Sequence, residues 1–555
     1  MARSALEPFL AGRRALRLLL LGALTALTLL PFAGKALHID DPMYVWAAKQ
    51  IQKRPLDPYG FEVNWYGFPM PMSNVNKNPP LTSYYIAGVS GMFGWGERAL
   101  HLAFLIPAII VIIGTYLLAE RLSRRPLLAG FCALFTPVFL ISSTNLMSDT
   151  LMLAFWVSAV HLWITGLKKR SAWRLVTSGI LMAVSALAKY YGMALIPLLL
   201  VYSLLERRRP TWELWAFLVP VVVLGAYQSA THELYGRGLL LDAASYATDH
   251  PSQWGRGSIA KVLIGLAFTG GCLGAAWILT LGTWPRWAWL AGAGIAATVF
   301  LSAAATRSIG GSAMRVGEGS VWTAAALLGV FAVGGLGILA LGMQEALKRR
   351  DPESWLLCLW LLGTFVFAAV VNWTTNGRSI LPMVPAAAIL IARRADGWGR
   401  GRAADLRMAT VAALTAVLAV GSAWADFAYA NSAREAARRI HDKYWSTTHT
   451  LRFEGHWGFQ YYMEALGAKA VNLAAPSAKE GDILVVPENN SNVYWPKENW
   501  SILVETIQVP SSRGIATMRS ELGAGFYADE IGPLPFAVGE VPPERYFVFR
   551  IAARK

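Results

Sequence analysis

The sequence predicts a polytopic α-helical membrane protein with about thirteen transmembrane helices and a small soluble α/β domain at its C-terminal end. Three observations carry that expectation. The 555 residues are 55% hydrophobic and only 15% charged, where soluble domains run near a quarter charged. Apolar runs of about 20 residues, long enough to cross the hydrocarbon core as helices, recur to about residue 428. Basic clusters then fall in every second connection between those runs, which is the positive-inside pattern.

The runs centre near residues 25, 109, 136, 157, 181, 198, 221, 270, 295, 330, 363, 386 and 417. The basic clusters are Arg13-Arg14-Arg17, Arg121-Arg124-Arg125, Lys168-Lys169-Arg170, Arg207-Arg208-Arg209, Lys348-Arg349-Arg350 and Arg393-Arg394. Their placement predicts a cytoplasmic N-terminus, and an odd number of crossings then puts residues 431–555 on the other face. It also accounts for the net charge of +16 without a nucleic-acid partner. The expected location is the inner (plasma) membrane, with the C-terminal domain periplasmic or otherwise extracytoplasmic. The Arg13-Arg14 pair and the apolar run after it have the outline of a signal peptide, but a retained first helix is the expectation. Cys132, Cys272 and Cys358 all lie in apolar runs, so no disulfide framework is expected.

Two domains follow from this layout: a transmembrane domain, 1–430, whose first external loop spans 35–98, and a soluble domain, 431–555. In the second, compact apolar runs at 483–486, 501–509 and 546–551 alternate with Pro, Gly and Asn, as strands and turns do. Helical periodicity appears at 431–444 and 458–466.

The first loop holds the densest chemistry. His38-Ile39-Asp40-Asp41-Pro42-Met43-Tyr44 follows the first helix closely, which places two carboxylates near headgroup depth. Beyond them Tyr44, Ala47, Ala48 and Ile51 share one helical face, the pattern of a short amphipathic helix lying in the interface. Asp41 before Pro42 reads either as an N-cap with proline at the first helical position or as a second catalytic carboxylate. Asp40 has no such structural explanation, and it is the better candidate base. Trp65, Tyr66 and Phe68 form either an interfacial aromatic belt or a sugar-stacking wall, and Lys77-Asn78-Pro79-Pro80-Leu81 closes the loop.

Other ionisable groups gather on the same face. Asp149 begins the fourth apolar helix, as a cap or as a site residue. Lys189 is a snorkelling lysine or a phosphate ligand, and Arg378 an interface anchor or a phosphate ligand. His456, in an aromatic stretch of the C-terminal domain, marks a buried helix start or an acceptor contact. Together, one carboxylate base and several cations at one interface suit an anionic, lipid-borne ligand, since ionisable groups at membrane edges are functional candidates. The cations would stabilise a departing phosphate while Asp40 takes a proton from an attacking hydroxyl.

The motifs resemble those of the GT-C glycosyltransferases of the protein O-mannosyltransferase and lipid A aminoarabinose transferase type (glycosyltransferase family 39). That family's Asp-Glu-x-x-Tyr motif is matched by Asp40-Asp41-x-x-Tyr44, and its Pro-Pro-Leu motif by Pro79-Pro80-Leu81. The segments at Asp149, at Ala188-Lys189-Tyr190 and at Arg378-x-x-Leu381-Pro382-x-x-Pro385 are also similar, so the resemblance covers most of residues 10–395. It implies a GT-C fold and an inverting transfer of a sugar from a polyprenyl-phosphate donor to a hydroxyl on a glycan, lipid or protein acceptor. In that reading Asp40 and Asp41 are catalytic, Lys77, Lys189 and Arg378 bind the donor phosphate, and Tyr44, Asn78, Asp149 and His456 position substrates. The chain departs from the family in having Asp41 for Glu and Lys77-Asn78 for the Glu-Lys of the aminoarabinose transferases. No metal ligand set is assigned, and a divalent metal is left open as a cofactor. The competing classes are a lipid-sugar flippase or transporter, which would carry paired repeats, a surface-polysaccharide polymerase, and a catalytically dead scaffold.

Overall fold

The computed structural model describes residues 2–255, 257–281, 284–397, 402–446, 448, 450–475, 478–497 and 499–552, with side chains from Arg13 onward except at 403–405. Among the described residues, eight helices are long and apolar enough to cross a membrane, and two bent pairs raise the number to as many as ten. Twelve of the thirteen apolar centres lie on helices and the one at 136 falls in the break between Pro126–Leu134 and Pro137–Ser143; the helices Ala172–Ala188, Leu195–Arg207 and Val384–Ala395 are short. Length and composition therefore support eight to ten spans among the described residues, and the expected thirteen are not all long enough to be counted in this way.

The bends have local causes. Pro126–Leu134 and Pro137–Ser143 meet at 62°, because Thr136 caps the second helix from the Phe139 N–H at 3.3 Å and Pro137 cannot continue the first. Ile259–Cys272 and Gly274–Leu281 meet at 98°, where Gly274 takes a left-handed φ of 65°. The first bend matters for function. It carries the buried stretch Thr144-Asn145-Leu146-Met147 down to the start of helix Ser148–Lys169.

After residue 430 the last apolar helix continues without a break, Arg402–Tyr444. It enters a five-stranded sheet ordered Lys469–Ala470, Leu451–Phe453, Ile483–Pro487, Glu544–Ile551, Ser501–Val509. The first three strands run parallel and the last two pairings are antiparallel. Helix Trp457–Ala465 supplies Phe459 and Met463 to a core shared with Leu451, Val485 and Val548. The expected strands and both helices are present. The short strands at Leu451–Phe453 and Lys469–Ala470 were not anticipated.

The C-terminal domain docks closely on the transmembrane part. A Cβ on Gly458 would lie 2.0 Å from the Leu37 carbonyl oxygen, so only glycine lets helix Trp457–Ala465 sit on the first loop. Gly377 is pressed in the same way against the Phe526 ring, and its N–H donates to the Phe526 carbonyl at 2.7 Å. The helix Asp41–Lys53 is held between these bodies. Its face of Tyr44, Ala47, Ala48 and Ile51 is at most 5% exposed, packed on helices Leu81–Phe93 and Trp457–Ala465. The amphipathic pattern was right, but protein rather than lipid covers that face.

Candidate active site

The turn His38-Ile39-Asp40-Asp41 is built by the backbone before any chemistry is considered. Ile39 sits at a left-handed φ of 48°, an uncommon conformation for a β-branched residue. What holds it there is Asp41. The Asp41 carboxylate accepts the His38 N–H through Oδ2 and the Leu146 N–H through Oδ1, both at 2.9 Å. It is fully buried, and burial pushes its pKa up to about 7 against the pull of those two donors. The N-cap reading of Asp41 is thus corrected. Asp41 is the first helical residue, and its side chain ties the turn to the stretch ahead of helix Ser148–Lys169.

Asp40 occupies the cap position but makes no capping hydrogen bond. Its carboxylate instead meets the Arg378 guanidinium at 2.9 Å, with 19% of the side chain exposed. Arg378 enters from the short helix Gly377–Ile380, which Asn376 caps through the Ser379 N–H at 2.8 Å. Its guanidinium lies 5.9 Å from the Tyr527 ring.

A second pair faces the first. Asp149, in the first turn of helix Ser148–Lys169, bonds to Lys189, so neither a helix cap nor a snorkelling lysine describes them. The other Asp149 oxygen is buried without a hydrogen-bond partner among the described residues. Tyr44 stands between the pairs, its hydroxyl 3.1 Å from the Ser148 Oγ. Burial first, and then Asp149, push that phenol's pKa up, while Arg378 pulls it down. Asp40, Tyr44, Asp149, Lys189 and Arg378 are therefore one electrostatic group.

The remaining expected residues fall outside it. Lys77 pairs with Asp242 at 2.6 Å and lies 5.7 Å from the Tyr246 ring, so its charge has a carboxylate of its own. Asn78 shapes the loop: its N–H donates to Asn76 at 2.9 Å and its carbonyl accepts from Tyr59 at 2.8 Å. His456 is buried under Trp65, ring centroids 5.5 Å apart, and bonds to Gln460 at 2.9 Å. Trp65 belongs to a small core with Met43, Tyr59 and Met72, whereas Tyr66 is within electrostatic reach of Asp40. Among the described residues, no group of three or more His, Cys, Asp or Glu is arranged to hold a metal ion.

Sequence reasoning missed a second charged cluster beneath the first. Asp426, fully buried, accepts from Lys35 at 2.5 Å and Tyr527 at 2.8 Å through Oδ2, and from Thr517 at 3.0 Å through Oδ1. Lys35 also donates to Asn145 at 2.6 Å, and Asn145 donates to Tyr527 at 2.7 Å. A lone aspartate inside an apolar run was the available signal. Beside helices Ala172–Ala188 and Leu218–Tyr235, Pro80, Leu81, Leu187 and Tyr227 line an apolar pocket of about 240 Å³. The Tyr227 hydroxyl meets that of Tyr190, the residue after Lys189, at 3.0 Å.

The helical scaffold, with a loop-borne carboxylate between its first two spans, has the GT-C fold of membrane glycosyltransferases. The family model described as dolichyl-phosphate-mannose-protein mannosyltransferase matches residues 77–229, a stretch that contains Asp149 and Lys189 but neither Asp40 nor Arg378. Among solved structures, ArnT from Cupriavidus metallidurans bound to undecaprenyl phosphate is similar at 14% identity, with a TM-score of 0.52 over 85% of this chain and 93% of that one. An oligosaccharyltransferase from Archaeoglobus fulgidus, tethered to an acceptor peptide, is similar at 14% identity with a TM-score of 0.50, over 82% of this chain and 63% of that one. No curated protein matches the chain in sequence.

Proposed function

We propose that the protein transfers a sugar from a polyprenyl-phosphate donor to a hydroxyl on a glycan, lipid or protein acceptor, with inversion, at the membrane face that bears the first loop and the C-terminal domain. The observation that carries this reading is the division of labour between adjacent aspartates. Asp41 is consumed by two backbone donors, whereas Asp40 keeps a partly exposed carboxylate with a single close cation.

Asp40 is the general base for the acceptor hydroxyl, aimed by Arg378. Lys189 and Arg378 face the charge that develops on the departing phosphate, with Asp149 orienting Lys189. Tyr44 and Ser148 line the space between the two pairs and position the sugar. The apolar pocket beside Tyr227 suits the isoprenoid units next to the phosphate, in keeping with the undecaprenyl phosphate bound to the similar ArnT and the dolichyl-phosphate-mannose of the matching family's description. Lys77, paired with Asp242, stiffens the loop in this scheme, and His456 acts through Trp65 rather than on substrate. The N-terminus is cytoplasmic and the site extracytoplasmic in this scheme, consistent with the basic connections.

The test is to incubate purified protein with a panel of polyprenyl-phosphate sugars and compare it with Asp40→Asn. Sugar release or transfer in the parent, lost in Asp40→Asn, is the expected result. Turnover that survives the substitution removes Asp40 as base, and movement of lipid between leaflets without sugar transfer replaces the enzyme with a transporter.

A further inference from the structure

At the end of the bundle remote from Asp40, four arginines converge on one concavity. Arg14 and Arg17 come from the first helix, Arg121 from the last turn of helix Glu97–Leu122, and Arg124 from the turn that follows. With Leu117, Glu120, Ser123 and Pro126 they line an open pocket of about 590 Å³. Helix Glu97–Leu122 measures its distance from the active site. Glu97 at one end bonds to Tyr462 and Arg434 beside the first loop, and Arg121 lies 24 residues on, roughly 36 Å at helical rise.

The charges do not balance. Among the described residues, Glu120 is the one carboxylate lining the pocket, and it is taken by Arg14 at 2.9 Å and by the Tyr116 hydroxyl at 2.7 Å. Asp396, nearby, accepts the Arg124 backbone N–H at 2.9 Å and the Ser123 hydroxyl at 3.2 Å. Arg121 donates to the Thr165 hydroxyl at 2.7 Å. Among the described residues, the guanidinium groups of Arg17, Arg121 and Arg124 form no ion pair with any carboxylate. All four side chains are exposed, as arginines in a basic connection are expected to be. Here three chain segments bring them to a single hollow at the end of two spans.

The surroundings decide what fills the hollow. Leu16, Leu19 and Leu20 on the first helix and Leu127 beyond the turn are all more than 40% exposed, so apolar surface for acyl chains continues directly from the basic pocket. A phosphate flanked by two fatty chains matches both parts, and a guanidinium fork matches phosphate oxygens. We propose that this pocket binds the phosphate headgroup of an anionic phospholipid, at a site separate from the active site. The same chemistry would take a free phosphate, and the apolar rim favours the lipid.

The experiment uses full-length protein stripped of lipid in non-ionic detergent. Dioleoyl phosphatidylglycerol, dioleoyl phosphatidylcholine or inorganic phosphate is titrated in, with thermal unfolding and native mass spectra as readouts. Phosphatidylglycerol should raise the unfolding midpoint by on the order of a few degrees, as a ligand of the folded state does, and leave one retained lipid per chain. Phosphatidylcholine and phosphate should do neither. Arg17→Gln/Arg124→Gln should weaken phosphatidylglycerol binding by about tenfold or more. Arg17→Lys/Arg124→Lys should keep most of the binding, and Arg208→Gln/Arg209→Gln, in another basic cluster, all of it. If the double glutamine variant does not fold, Arg17→Gln alone carries the comparison. An equal response to phosphatidylcholine, a full response to phosphate alone, undiminished binding by the glutamine variants, or an equal loss in the Arg208→Gln/Arg209→Gln control would each overturn the proposal.

Discussion

Two charged clusters lie one beneath the other in this protein, built from the same residue types and differing in completeness. In the lower one Lys35 and Asp426 are both 0% exposed, and each Asp426 oxygen is engaged, Oδ2 by Lys35 and Tyr527 and Oδ1 by Thr517 with His38 at 3.4 Å. In the upper one Asp40 and Lys189 are each 19% exposed, Asp40 has one close cation, and an Asp149 oxygen has no hydrogen-bond partner among the described residues. A carboxylate offers about four acceptor positions. Where all are filled by protein, the group can only hold structure. Where they are left open at a solvent-reached surface, a substrate can use them. Tyr527 joins the two levels, its hydroxyl on Asp426 and its ring beneath Arg378. The sealed cluster therefore sets the position of the open one, and it does so with a residue of the C-terminal domain.

The largest effect should fall on the open cluster alone. Asp40→Asn is expected to lower transfer by about 10²–10⁴-fold, the usual range for removing a general base. The unfolding midpoint should fall far less than in a variant of the sealed cluster, since the asparagine amide oxygen can still accept from Arg378. A matching loss of stability would erase the distinction between the clusters. Asp426→Ala is the converse. Leaving the buried Lys35 ammonium unpaired should destabilise the fold by about 3–5 kcal/mol, whereas Lys35→Met/Asp426→Leu should cost far less. Denaturant unfolding of both variants reads the difference, and equal losses would show that the pair is not the source of the effect. Asp41→Asn comes next. An amide has one acceptor oxygen, so either the His38 or the Leu146 N–H loses its partner, at about 1–3 kcal/mol. Any loss of turnover should then follow the loss of stability rather than exceed it by orders of magnitude.

The helices and the sheet domain could be read from the chain because their signals are local. Apolar runs, basic connections and the alternation at 501–509 each speak within a window of a few turns. The site was readable only as an inventory. Asp40, Tyr44, Asp149, Lys189 and Arg378 were all named in advance, but nothing local pairs Asp149 with Lys189 or Asp40 with Arg378. The misreadings have the same origin. Asp41 beside Pro42 has the local grammar of a cap, yet its second oxygen belongs to Leu146, 105 positions away. Nothing local announces that Asp242 is brought to Lys77 from helix Leu239–Asp249 either. Asp426 and Lys35 are 391 positions apart, and only the packing of the last helix against the first loop makes them one unit.

The smallest expected effect tests how firmly the C-terminal domain holds that loop. Burial lowers the His456 pKa to about 4, with the Gln460 hydrogen bond opposing the shift. The unfolded chain, with an ordinary histidine near 6.5, then binds more protons between pH 4 and 6.5, so this group's stability is lost as pH falls through that window. Two residues earlier, burial raises Glu454 to about 7. Here the folded state binds more protons, and stability is lost as pH rises from the unfolded carboxylate value near 4.3 toward 7. Between pH 5 and 6.5 the two slopes oppose and nearly cancel. His456→Gln should therefore add a decline in unfolding free energy with rising pH relative to the parent, and Glu454→Gln a rise, each on the order of 1 kcal/mol across the window. Parallel profiles for the variants and the parent would mean that neither group is sealed by the docking of this domain. The loop carrying Asp40 would then be held by Asp41 and the Asp426 cluster, without a contribution from these two groups.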